Sequence, residues 1–291
     1  MKIAGRTAIV TGASSGIGRA TAFELAEKGA NVVLAARSRD KLTAIADEIG
    51  GSSHQTLVVP TDVTDRFAVE ALVRRTVEEY DAVDILVNNA GMGLYAPISG
   101  GSLENIHRIF DVNFFGAVHC MQAVAPYMVS QQRGHIVNVS SIAGKMAPPF
   151  MGAYAATKHA LVAASDAIRT ELAGKGVHVS TIYPGLTQSS FTEAMLQEVE
   201  VPRIPPIVRF VDSSVVARRI AQAIRWEVRD VYVSPEDIAA VSVNTFAPHL
   251  ADLGMRLFMR TRDVPRVDIR LPQIEAPADE PEAADAEQNS D

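Results

Sequence analysis

The sequence has little of what would place it outside the ordinary globular classes. Cys120 is its single cysteine, so no internal disulfide can form and a disulfide scaffold is excluded. Positive charge is not in excess. Lys and Arg number 27 and Asp and Glu 34, yet seven of those acids and none of the bases lie between Glu275 and Asp291, so the first 274 residues are neutral overall. A neutral body offers no clustered basic face for nucleic acid. The N-terminus lacks a charged-then-apolar leader, and the expectation is a soluble, cytoplasmic protein of a reducing compartment. One long stretch, Val112 to Gln132, is free of Asp, Glu, Lys and Arg. It carries Asn113, His119, Gln122 and Pro126, groups that are costly in lipid, so it reads as a helix buried against other protein rather than a span.

What is present is apolar and periodic, and 47% hydrophobic content suffices for a sizeable core. Thr7–Val10, Asn31–Ala36, Thr56–Val59, Ile85–Val87, His135–Val139, Val177–Ile182 and Val231–Val233 are short, nearly continuous apolar runs, the pattern of strands buried on both faces. Between them Val69, Leu72, Val73, Thr76 and Val77 fall at helical spacing, as do Leu161, Ala164, Ile168 and Leu172. Alternating strands and helices predict an α/β fold: a single doubly wound domain over residues 1–270 with a seven-stranded parallel sheet. Residues 187–212 read as an irregular insertion over the substrate side. The stretch from 271 to 291, rich in Pro, Ala and acids, reads as a disordered acidic tail.

The first strand runs into Thr11-Gly12-Ala13-Ser14-Ser15-Gly16-Ile17-Gly18 and then a helix. Gly12 permits a tight turn, Gly16 lets backbone approach a pyrophosphate, and Gly18 lets helix and strand pack closely, with the helix N-terminus facing the anion. The spacing is Gly-x-x-x-Gly-x-Gly. Together with Asp62-Val63, Asn88-Asn89-Ala90-Gly91, Asn113, Ser141, Tyr154-Ala155-Ala156-Thr157-Lys158 and Pro184-Gly185, in that order, it makes residues 5–235 resemble the short-chain dehydrogenase/reductase family, whose domain is a Rossmann fold. The resemblance implies that Gly12, Ser14, Ser15, Gly16, Ile17 and Gly18 cradle a dinucleotide. Asp62 and Val63 would hold its adenine, and Asn89, Ala90 and Gly91 would line the nicotinamide ribose. Pro184 and Gly185 would wall the nicotinamide, with Thr187 on its carboxamide and Ser189 where the family usually has a further Thr. Asn88 reads as a structural tie between strands.

Charge after the second strand argues the cofactor. The strand ends Leu34-Ala35-Ala36-Arg37-Ser38-Arg39, with alanine where an NAD-selective site would keep an acid. Arg37 can pair with a 2′-phosphate, so NADP(H) is expected over NAD(H); the competing reading of Arg37 is a solvated loop cation. Tyr154 and Lys158, four apart on a predicted helix, share a face. A neighbouring ammonium and an oxidised nicotinamide should bring the phenol down toward its working range, making Tyr154 the general acid or base of hydride transfer at a carbonyl or alcohol. Ser141, at the end of the fifth strand, is placed to bond the substrate oxygen; Ser140 competes, and the family spacing selects Ser141. By resemblance Asn113 would hold a water linking Lys158 to solvent, the alternative being a helix-kink amide. No metal is expected, since the histidines show no ligand spacing.

Met92, Leu94 and Tyr95, Met146 to Met151, and Phe191 to Phe210 should surround the carbonyl, favouring a lipophilic ketone or alcohol over a sugar; the alternative is that they pack a lid onto the body. Residues 244–262 are expected to form an extra helix with Phe246, Leu250, Leu253, Leu257 and Phe258 on one face, packed by default on the body, with an oligomer contact or a peripheral membrane contact as alternatives. Val112–Gln132 suggests a dimer face, and the family habit is a homodimer or homotetramer. Against the leading expectation stand a catalytically silent dinucleotide-binding sensor or scaffold, and a 3-oxoacyl reductase.

Overall fold

The computed structural model describes residues 1–50, 56–188, 191, 195–201 and 210–260. In chain order its elements are β1 (Thr7–Thr11), α1 (Gly16–Glu27), β2 (Asn31–Ala36), α2 (Arg39–Gly50), β3 (Thr56–Pro60), α3 (Arg66–Tyr80), β4 (Ile85–Asn88) and β5 (Leu94–Tyr95). They continue as α4 (Leu103–Phe110), α5 (Gly116–Ser130), β6 (Gly134–Val139), α6 (Gly152–Glu171), β7 (Val177–Tyr183), β8 (Thr187–Gln188), β9 (Leu196–Gln197), β10 (Val211–Asp212), α7 (Ser213–Trp226), β11 (Asp230–Tyr232), α8 (Pro235–Phe246) and α9 (Pro248–Arg260).

Seven strands form one parallel sheet in the order β3-β2-β1-β4-β6-β7-β11, as the alternating pattern predicts. β1, β4 and β6 are buried along their whole length because each has helices over both faces. Leu25, Leu42, Ile45, Ile49, Ile220 and Ile224 fill the layer under α1, α2 and α7. On the opposite face Val69, Leu72, Val73, Val124, Met128 and Leu172 pack α3, α5 and α6 against the same sheet. Local chemistry sets the boundaries: the Asp65 carboxylate caps α3 by accepting from the Phe67 and Ala68 amides, and the helix stops where Asp81 turns left-handed at φ 58°. The order of strands reverses between β1 and β4, which opens a crevice at their C-terminal ends.

The charge-free run is helical as expected up to Ser130, with its first residues in a π-helical turn, Asp111–Phe115, that is closed by the Gly116 amide on the Asp111 carbonyl and leads from α4 straight into α5. One expectation changes: residues 244–262 are not one helix. Pro248 has no amide hydrogen to donate and disfavours helical geometry in the residue before it, so Ala247 leaves the helix at φ −139° and α8 and α9 are separate. Nor does the apolar face pack on the body, since Phe246, Leu250, Leu253 and Leu257 are exposed. In the insertion, β8 pairs with β10 and β9 with β5. Ser189, the prolines at 202, 205 and 206, the side chain of Phe258 and the tail from 261 onward lie outside the described residues. Among the described residues no helix is long and apolar enough to cross a membrane.

Candidate active site

The glycine turn joins β1 to α1 at the crevice. Gly12 and Gly16 have φ of +63° and +52°, which side-chain-bearing residues adopt only with strain. A Cβ on Gly18 would lie 2.2 Å from the Gly12 carbonyl oxygen and 2.5 Å from Asn89 Nδ2, so that position excludes every other residue. Helix α1 starts at Ser15 with no side-chain cap and no acid in its first turn, leaving amides and a positive dipole end facing the crevice. Thr11, to which no role was given on sequence grounds, ties the two sides together. Its hydroxyl donates to the Val87 carbonyl at 3.2 Å and accepts from the Asn89 and Ala90 amides at 3.0 and 3.1 Å. Asn89 Nδ2 donates to the Thr11 carbonyl at 3.0 Å, so this side chain is engaged in shaping the turn. Asn88 Nδ2 donates to Asn138 Oδ1 at 2.9 Å, fastening β4 to β6.

Around the turn, Ala36 ends β2, and Arg37 and Arg39 after it are exposed and form no ion pair among the described residues. Asp62 follows β3; its Oδ1 accepts from the amide and hydroxyl of Thr64, while Val63 is buried beneath Gly116. Across the crevice the Pro184 carbonyl accepts from the Ile142 amide at 3.0 Å. Gly185 lies against Asp237 of α8, and the Thr187 hydroxyl donates back to the Gly185 carbonyl at 3.2 Å. The uncapped helix end, the glycine cradle and the unpaired Arg37 together fit a dinucleotide.

Tyr154 and Lys158 lie on one face of α6, both buried. Lys158 Nζ sits 5.8 Å from the centre of the Tyr154 ring and donates to the Val139 carbonyl at the end of β6, 3.1 Å away. Burial lowers Lys158 to about 8. Burial also raises Tyr154 to about 12, against a hydrogen bond with Ser141 that acts downward. The expected lowering of the phenol is thus not what the protein alone produces, because desolvation of the phenolate outweighs the neighbouring groups. Ser141 Oγ accepts from the Ala143 amide at 3.1 Å and bonds the Pro184 carbonyl at 3.2 Å. The buried Ser140 hydroxyl is instead committed to the Lys158 carbonyl.

Asn113 occupies the π-helical turn. Its Oδ1 accepts from the Met92 amide at 2.8 Å, and its Nδ2 donates to the Met92 carbonyl and to Thr157 Oγ1 at 2.9 and 3.1 Å. The side chain therefore welds the loop after β4 to α6. A Cβ on Gly91 would fall 3.1 Å from Asn113 Oδ1 and 3.6 Å from Lys158 Nζ, so a side chain there must shift the Asn113 amide by a few tenths of an ångström. The rim is apolar: Met92, Leu94, Met151, Phe191 and Leu196 join Tyr154 in one cluster, with the Phe191 ring 5.6 Å from the phenol ring. Lys145, the rim's lysine, lies over the Tyr183 ring at 5.0 Å.

Comparison with known proteins gives the family and the fold. Residues 6–200 match the family model of short chain dehydrogenases. The chain is 34% identical over 241 residues to glycine betaine reductase ATRR of Emericella nidulans, an alignment covering 81% of this chain and only 19% of that much longer protein. It is 36% identical over 192 residues to an uncharacterized oxidoreductase of Staphylococcus epidermidis, covering 66% of this chain and 82% of that one. Among solved structures, a short chain dehydrogenase/reductase from Burkholderia phymatum in complex with NAD superposes with a TM-score of 0.79 at 28% identity, covering 86% of this chain and 96% of that one. An alcohol dehydrogenase from the archaeon Thermococcus sibiricus, complexed with 5-hydroxy-NADP, gives 0.70 at 26% identity, covering 78% and 94%. With a glycine cradle at the sheet's switch point and a buried tyrosine and lysine together on α6, the chain belongs to the short-chain dehydrogenase/reductase family, oxidoreductases that bind a nicotinamide dinucleotide.

Proposed function

We propose that the chain is an NADP(H)-dependent oxidoreductase acting on a lipophilic ketone or the corresponding secondary alcohol, with Tyr154 as the proton donor or acceptor. The observation that carries this reading is the buried phenol of Tyr154, hydrogen-bonded with Ser141 and with the Lys158 amine 5.8 Å from the centre of its ring. A bound nicotinamide supplies or takes up the hydride. The protein's own groups do the rest. Ser141 bonds the substrate oxygen and stabilises the negative charge that grows on it. Tyr154, protonated at neutral pH, gives its proton to that oxygen, which suits carbonyl reduction. Lys158, fixed by the Val139 carbonyl, stabilises the phenolate left behind.

Cofactor preference rests on Arg37, exposed and without an ion pair among the described residues, after a strand that ends in alanine. Substrate class rests on the apolar cluster around the phenol. The test is consumption of NADPH and of NADH over a panel of aromatic, long-chain and alicyclic ketones. The reading expects turnover with NADPH, loss of about a thousandfold or more in Tyr154→Phe, and a collapse of the NADPH preference in Arg37→Ala. An unchanged preference in Arg37→Ala defeats the cofactor assignment; tight NADPH binding with no turnover of any ketone defeats the catalytic one.

A further inference from the structure

Between Ser141 and Tyr154 the chain turns at Pro148-Pro149-Phe150-Met151, where the Met151 amide donates to the Pro148 carbonyl at 3.1 Å. Proline at the second position and a positive φ at the third is the pattern of a type II turn, whose third position ordinarily takes glycine. Here that position is Phe150, at φ +63°. Among the described residues Asp81, Gln132 and Glu227 are the other non-glycine residues at positive φ, and each lies just past the end of a helix, where a left-handed residue is an ordinary stop. Phe150 precedes a helix instead. A bulky side chain adopts this conformation only with strain, so its surroundings and not its local preference keep it there.

Two contacts hold it. The Phe150 carbonyl accepts from the Ala96 amide at 2.7 Å, and its ring lies 5.4 Å from the Tyr95 ring. On the opposite edge of the same strip the Gly93 and Tyr95 carbonyls accept from the Leu196 and Glu198 amides, both at 3.0 Å. β5 therefore carries the insertion on one edge and Phe150 on the other. Helix α6 begins immediately beyond, with Met151 at its N-cap and no side-chain cap to fix the entry. Tyr154 stands in the first turn of this helix, and the Met151 carbonyl accepts from the Ala155 amide beside it at 2.8 Å. We propose that Phe150 is a positioning residue for Tyr154, its strained turn bolting the entry of α6 to the strip that carries the insertion. The strain persists because ring and carbonyl together set where the phenol stands relative to the reacting oxygen. This inference rests on Tyr154 as the proton donor. Glycine at position 150 relaxes the turn and frees the phenol, which slows proton transfer without weakening the hold on the cofactor.

The experiment is steady-state ketone reduction by the full-length protein in water and in deuterium oxide, below the melting transition, for the wild type, Phe150→Gly, Phe150→Tyr and Tyr154→Phe. Phe150→Gly should melt near the wild type, since relief of the backbone offsets the lost ring contact. Its kcat should nonetheless fall about tenfold, with an unchanged KM for NADPH and a larger solvent isotope effect, as proton transfer becomes the slower step. Phe150→Tyr, which keeps the ring, should hold wild-type values. Wild-type kcat in Phe150→Gly overturns the proposal, and so does a lowered kcat with the wild-type isotope effect. If Phe150→Gly does not fold, Phe150→Ala, which loses the ring beyond Cβ, is read by the same two quantities. An active Tyr154→Phe overturns the assignment of the proton donor itself. With Tyr154→Phe inactive, the outcome at Phe150 bears on the positioning role alone.

Discussion

A buried phenol beside a buried amine sets a conflict between two neutral forms. Burial raises Tyr154 to about 12 and lowers Lys158 to about 8, so above pH 8 the pair rests uncharged. Loss of the ammonium removes stabilisation of the phenolate. The expected pH profile of kcat/KM for ketone reduction therefore falls above about pH 8, and Lys158→Met, slower by about a hundredfold, should lack that limb; a limb retained in the variant would assign it elsewhere. His135 makes the same argument for stability. It is fully buried, with Nε2 2.8 Å from Ser180 Oγ and Nδ1 without a partner. Because the Ser180 hydroxyl donates onward to the Val228 carbonyl, the imidazole proton sits on Nε2. Burial, helped by His178, lowers His135 from 6.5 to about 3. Between these values the unfolded chain binds the proton and the native chain does not, so stability is complete above pH 6.5 and is lost as pH falls toward 3. From pH 7 to pH 5 that loss amounts to about 2 kcal/mol. Urea unfolding at the two pH values should show it in the wild type and not in His135→Gln; an equal acid loss in both would remove His135 as its source.

Elements differ in how openly the sequence announces them. The central strands of the sheet, β1, β4, β6 and β7, are legible because burial on both faces demands nearly uninterrupted apolar runs, and Tyr154, Lys158 and the glycine turn because their chemistry needs fixed spacings. β5 with β9 and β8 with β10 are two-residue ladders, too short for any period, and they exist only through pairing distant in sequence. The π-helical turn at Asn113 has no periodic signature, so the contacts of its amide could not be foreseen. Pro248 did carry a signal, and it splits a run whose apolar spacing reads as one helix. Asp237 shows what only packing reveals. Its carboxylate accepts from the Ser234 amide in the capping box of α8, and it fills the space a Cβ on Gly185 would take, 2.1 Å from Oδ1. Gly185→Ala must push this helix away and should cost about 1–3 kcal/mol, with a raised KM for NADPH. In the double variant with Asp237→Ala the clash is gone and only the cap is lost, about 1 kcal/mol. A four-member unfolding cycle should thus be strongly non-additive; simple additivity would mean that the contact is not what fixes α8.

At the scale of the molecule the sheet separates chemistry from stability. The glycine turn, Ser141 and the Pro184-Gly185 segment all follow C-terminal ends of parallel strands. The opposite end of the sheet holds Asp84, 2% exposed, just before β4. Its Oδ2 accepts from the Thr7 amide at 3.0 Å, and its Oδ1 meets Arg133 Nε at 2.6 Å and Arg6 at 3.5 Å. Its own amide donates to the Thr7 carbonyl at 2.9 Å, and its carbonyl accepts from the His135 amide at 2.8 Å. One carboxylate thereby clamps the entry of β1, the start of β4 and the turn into β6, the three central strands. Asp84→Ala leaves Arg133 partly buried without its acid and the Thr7 amide without an acceptor, a combined loss of about 3 kcal/mol. Asp84→Asn keeps an acceptor for the amide and should cost less. Neither change reaches the crevice, so kcat and the KM for NADPH should hold at wild-type values below the shifted melting transition. Urea unfolding together with steady-state kinetics reads both quantities on the same samples. A fall in kcat at temperatures where Asp84→Ala is fully folded would show that the two ends of the sheet are coupled rather than divided.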